Sequence, residues 1–181
     1  MRSLDAKEVL ELLAESYSDE DKDYKRRVYF ISNFISALVF FLIHIVLSFF
    51  KDTIALITTM ILIILMGIVL VIRQKRLYKK VHGYFDKILE EIIIYGLVCI
   101  IISSISVFII YPSLLGIFIA SVYGLIISIS GILFKSKIRK IGGLLLIFSS
   151  LLMIVMLDYQ FLILGTVQMI IAFISLLPND N

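Results

Sequence analysis

Arg73-Gln74-Lys75-Arg76-Leu77-Tyr78-Lys79-Lys80 carries five positive charges and no acid, and it stands between two long apolar runs. The run before it is Thr53 to Ile72 and the run after it is Ile88 to Ile110. About 20 consecutive apolar residues wound as an α-helix cross the hydrocarbon core of a bilayer, and Lys and Arg collect at the cytoplasmic ends of such helices. The stretch therefore reads as a cytoplasmic basic loop between two transmembrane helices. Arg73, Lys75, Arg76, Lys79 and Lys80 are then its anchor to anionic lipid headgroups.

The rest of the chain repeats the pattern. Charged residues make up 17% of the 181 and hydrophobic ones 61%, whereas a soluble domain has about a quarter of its residues charged. The apolar residues come in long uncharged runs, so a water-soluble fold is excluded. Six spans are expected, at about residues 28–50, 53–72, 88–110, 114–134, 141–157 and 161–177. Together they predict an all-α six-transmembrane-helix bundle of three helical hairpins. Residues 1–27 form charged amphipathic helices, 28–177 the membrane domain and 178–181 a short tail. The spans at 141–157 and 161–177 have 17 residues each, the lower limit for crossing.

Charge placement orients the bundle. Of the 17 Lys and Arg, six lie in residues 1–27, six in 73–87 and four in 135–140, leaving Lys51 alone on the other side. That asymmetry puts both chain ends in the cytoplasm and implies the plasma membrane. Tyr29, Phe30, Tyr84, Phe85 and Phe134 mark the inner interface, and Phe49, Phe50, Tyr111 and Tyr159 the outer one. Membrane orientation accounts for the basic residues, so the net charge of +3 implies no nucleic-acid partner.

No removable leader is expected in residues 1–27, which lack an apolar core ahead of a small-residue cleavage site. Instead Asp5 and Glu8 have capping-box spacing, and Leu4, Val9, Leu12 and Leu13 share one face of a helix over 4–16. Such a helix rests on the headgroups or docks a protein partner at residues 1–27.

Inside the spans, small residues recur at helical spacing, which marks packing seams in lipid, where polar side chains also bond across interfaces. Gly116, Ala120, Gly124 and Ser128 form an i,i+4 ladder in the fourth span. Gly96, Cys99, Ser103 and Ser106 form a stripe in the third, as do Gly165, Gln168, Ala172 and Ser175 in the sixth. Asn33, Ser36, Ala37, His44 and Ser48 trace a rougher one on the first. His44, Asn33 and Gln168 make a candidate intramembrane polar site, with His44 the ionisable group deep in a span. His82, Asp86 and Glu90 share a helical face, yet three ligands spread over two turns span about 12 Å, so a metal site is not expected.

No GxSxG, HExxH or P-loop occurs, the single Cys99 reads as an inert buried thiol, and no cofactor is implied. A non-enzymatic accessory or scaffold protein acting through its cytoplasmic face is the expected function. The alternative is a small-solute transporter or the substrate-binding subunit of one. In size, six spans in 20.7 kDa resemble the substrate subunits of energy-coupling-factor transporters.

Overall fold

A computed structural model of the chain describes residues 19–50, 53–80, 84–133 and 136–176. They form six α-helices: α1 (Asp19–Phe49), α2 (Thr53–Lys80), α3 (Tyr84–Ile110), α4 (Leu115–Leu133), α5 (Lys137–Val155) and α6 (Gln160–Leu176). Single 3₁₀ turns, Pro112–Leu114 and Leu157–Tyr159, lead into α4 and α6. All six helices are long and apolar enough to cross a membrane. The helix expected over 4–16, the Lys51-Asp52 turn and His82 lie outside the described residues.

The stretch read as a basic loop is helix. Helix α2 runs unbroken through Arg73 to Lys80, because Arg, Gln, Lys and Leu are strong helix formers and no Gly or Pro interrupts them. Cations in a last turn also interact favourably with the helix dipole. The second basic segment shortens in the same way. Ser136, with extended backbone, caps α5, and its hydroxyl accepts from the Arg139 N–H at 3.4 Å. Starting at Lys137 rather than Ile141, α5 reaches 19 residues, which lifts it clear of the marginal length.

Each helix packs on its neighbours in the chain, and α6 returns to α1, closing a ring. Arg26 at the start of α1 donates to the Leu176 carbonyl at the end of α6 (2.7 Å), so the ring shuts at the end that carries the basic segments. The most extensive interfaces are α4 with α5 and α1 with α6; neither lies within one of the three sequential hairpins. Their sequences account for this. Gly124 and Gly143 let α4 and α5 meet backbone to backbone, and Gly165 lies against the Phe41 ring and the Ala37 carbonyl of α1. Helices α2 and α3 lack such mutual seams: Gly67 receives the Ile101 side chain and Gly96 that of Ile126. Large side chains between helices hold backbones apart, and the cavities described below lie on that looser side of the ring.

The distribution of polarity is the reverse of that in a water-soluble protein. Asn33, Ser36, Thr59, Ser104, Gln168 and Ser175 are buried, whereas Ile57, Leu65, Ile102, Leu125, Phe148 and Leu151 face outward. Soluble monomers rarely expose contiguous apolar patches above a few hundred Å².

Three expectations about the interior are corrected. The third-span stripe points largely outward: Cys99 and Ser106 are exposed, and the buried residues of α3 among those described are Leu97, Ile100 and Ser104. Small residues mark a close approach only where a partner helix supplies one, and α3 has none on that face. Cys99 is accordingly an exposed thiol rather than a buried one. Nor do five of the described buried hydroxyls bond across helices. Ser36, Ser130, Ser149, Ser150 and Ser175 each donate to a carbonyl one turn back in their own helix, a bond that needs no second element to be ordered.

Candidate functional site

Helices α1 and α6 run antiparallel in a register fixed at several points. Phe30 meets Phe173 (6.4 Å between ring centroids), Phe40 stacks on Phe161 (6.3 Å) and His44 lies by Tyr159 (5.9 Å). That register sets Asn33 and Gln168 at one level near the middle of the ring. His44 stands 11 residues beyond Asn33 on α1, about 16 Å away along the axis, and it is only partly buried. Of the three residues grouped from the sequence, two come to one level and His44 belongs to the opposite end.

Asn33 and Gln168 are both fully buried. The Asn33 amide nitrogen donates to the Tyr29 carbonyl at 2.8 Å, but its oxygen has no hydrogen-bond partner. Neither head atom of Gln168 has one. A buried polar group left without a bond costs about 1–3 kcal/mol, so this level is polar at the expense of stability. Gln168 is aimed into a chamber of about 30 Å³ whose walls are otherwise apolar apart from Ser36 and Tyr123. Towards the opposite end, the apolar side chains of Leu115, Phe161, Leu164 and Ile43 are buried.

Towards the basic end a second chamber, of about 50 Å³, adjoins the first, sharing Leu70, Leu97 and Tyr123 with it. Five helices contribute to it. Its polar groups are Tyr29 and Ser32 from α1, Gln74 from α2, Tyr123 and Ser130 from α4, and Arg139 from α5. The Arg139 guanidinium lies over the Tyr29 ring, 5.5 Å from its centroid, a cation–π contact that holds it in place. Gly142 makes room for the Tyr29 hydroxyl, which sits 3.3 Å from where a Cβ would be. Helix α5 thus supplies both the cation and the gap that seats its aromatic partner. A water needs about 10–15 Å³ by this measure, so the two chambers hold roughly half a dozen water-sized groups.

The fourth-span ladder lies elsewhere. Gly124 and Ser128 face Gly143, and the Gly116 N–H donates to the Gln160 side-chain oxygen at 2.8 Å. Ala120 is fully buried. Of the basic anchor, Lys75 and Arg76 are exposed and Arg73 partly buried; the side chains of Lys79 and Lys80 lie outside the described residues. The cavity residues Tyr29, Tyr123 and Arg139 escape a reading by sequence, since they sit on three helices. In one dimension Tyr29 looks like an interface aromatic and Arg139 like one more topological charge. Chemically, the lining offers one guanidinium, phenol and aliphatic hydroxyls and carboxamides. Groups of these kinds can hydrogen-bond or ion-pair with a solute.

The chain is 48% identical over 177 residues to the uncharacterized protein MJ0433 of Methanocaldococcus jannaschii, a match covering 98% of this chain and 100% of the relative. It belongs to the same family as that protein. No family model matches the chain, and no solved structure does.

Proposed function

We propose that this member of the MJ0433 family is a multi-pass membrane protein that binds a small solute in a cavity open to the cytoplasm. It is then a transporter or a substrate-binding subunit of one. The observation that carries this reading is the stack of two chambers. A polar mouth with Arg139, Tyr29 and Gln74 leads to a buried carboxamide, Gln168, that makes no hydrogen bond within the protein. Membrane insertion is supported by the outward apolar faces, and orientation by the basic residues at the mouth's end of the ring. In that orientation both chain ends are cytoplasmic and the membrane is the plasma membrane. Helix ends there would also meet anionic headgroups.

The described lining, one guanidinium with hydroxyls and carboxamides, suits binding. A scaffold working through residues 1–27 draws no support from the described residues, because the segment that would dock lies mostly outside them.

Labelling of Ser130→Cys in a Cys99→Ser background tests the reading. A small membrane-impermeant thiol reagent is expected to modify it from the cytoplasmic side. Protection of that thiol from both sides, while Ser136→Cys reacts, would show that the mouth is closed to solutes.

A further inference from the structure

We propose that the inner chamber recognises a small uncharged primary carboxamide, held head first against Gln168. This rests on the cavity being a solute site and adds the ligand's chemistry. Gln168 is fully buried, yet neither its amide nitrogen nor its amide oxygen bonds to the protein. With no bond to hold it, the head can turn to a ligand. One edge of a carboxamide carries a donor beside an acceptor. A second carboxamide presents the complementary edge, so two parallel N–H···O bonds form. A carboxylate sets an acceptor against the Gln168 oxygen, an amidinium sets a donor against the nitrogen, and a ketone leaves the oxygen bare. A lone hydroxyl serves both atoms from one centre, which bends both bonds away from their preferred line. Ser36, on the same wall, spends its proton on the Ser32 carbonyl at 2.9 Å, leaving lone pairs for the second N–H of a primary amide.

Polarity also selects against an ion. Around Gln168 the described wall is largely hydrocarbon, with Ile63, Met66, Leu97, Ile100 and Ile119, and a charge buried there costs far more than a bonded neutral group. On α3, Asp86 and Glu90 stand seven or more positions before Leu97, about 10 Å or more along the axis. Size sets the body. The inner chamber, of about 30 Å³, holds two or three water-sized groups, enough for a carboxamide head. A tail then passes Leu70 and Leu97, which line both chambers, and ends among Val28, Ile93, Ile126 and Ile127 in the outer one. Room for roughly half a dozen water-sized groups in all fits butyramide and excludes a two-chain lipid.

Melting of the full-length protein in detergent with four isosteric probes tests the proposal: butyramide, 2-pentanone, butyrate and butyramidinium. Butyramide is expected to raise the midpoint saturably. The ketone should need a concentration about fivefold higher or more for half the effect, and the two ions should leave the midpoint unchanged. Gln168→Leu should remove the preference for the amide over the ketone, and Gln168→Met, which keeps the length of the side chain, should do the same. Unliganded midpoints report whether each variant folds. A preference that survives in both variants, equal saturation by the ketone, or a larger shift with either ion would overturn the ligand class and leave the solute-site reading standing. So would the absence of a saturable shift with any probe although Ser130→Cys reacts from the cytoplasmic side. An unreactive Ser130→Cys would overturn both.

Discussion

Gly124 of α4 and Gly143 of α5 face each other so closely that a Cβ on Gly124 would lie 2.9 Å from the Gly143 carbonyl oxygen, and one on Gly143 2.6 Å from that of Gly124. Alanine normally gains about 0.5–1 kcal/mol over glycine inside a helix. Here the obstacle is backbone, which cannot rotate away, and overpacking costs about 1–3 kcal/mol. Gly143→Ala is therefore expected to lower the melting midpoint in detergent, and Gly124→Leu to lower it further. Gly67→Ala meets the Ile101 side chain and no backbone atom, so it is expected to be milder. Equal effects at Gly67 and Gly143 would contradict this account of the α4–α5 seam.

Gln160 is the buried side chain that ties the start of α6 to the start of α4. Its oxygen takes the Gly116 N–H, one of the four amides at a helix start that no intrahelical carbonyl can satisfy. Gln160→Leu leaves that amide bare and is expected to cost about 1–3 kcal/mol. The same substitution at Gln168 should act in the opposite sense on stability.

Gln168→Leu removes two unpartnered polar atoms from the centre of the ring. It is expected to leave stability unchanged or raise it by about 1 kcal/mol, as read by detergent melting. A large loss of stability would mean that the carboxamide holds the fold together rather than waiting on a ligand.

Orientation has its own check. In a Cys99→Ser background, Tyr111→Cys, beside the turn that opens α4, is expected to label from outside intact cells. Ser136→Cys, the cap of α5, should label only after permeabilisation. The reverse pattern would invert the bundle.

Much of the fold was legible in one dimension. Run length and the position of Lys and Arg are local signals, and six helices follow from them. The helix ends were not. Charge asymmetry identifies a side of the membrane but says nothing about where winding stops, so Arg73–Lys80 was read as loop although its residues favour helix. The stripes were legible only where a partner existed: Gly124 found Gly143, whereas Cys99 and Ser106 found nothing. Half of the polar level was legible too. Asn33 and Gln168 were singled out as buried polar residues, but His44 was grouped with them without the register that sends it to the other end. The mouth is hidden altogether, because Tyr29 meets Tyr123 and Arg139 across separations of about a hundred residues. Single-sequence patterns carry no signal for such a meeting.

The account stands on an electropositive, solute-accessible mouth at the basic end of the ring. The most direct measurement compares anionic and cationic methanethiosulfonate reagents at Ser130→Cys in a Cys99→Ser background, each rate divided by that of the same reagent with a free thiol. A partly buried guanidinium beside the mouth should favour the anion by about tenfold or more, and Arg139→Gln should abolish that preference. Equal normalised rates with Arg139 present, or no reaction with either reagent, would contradict it.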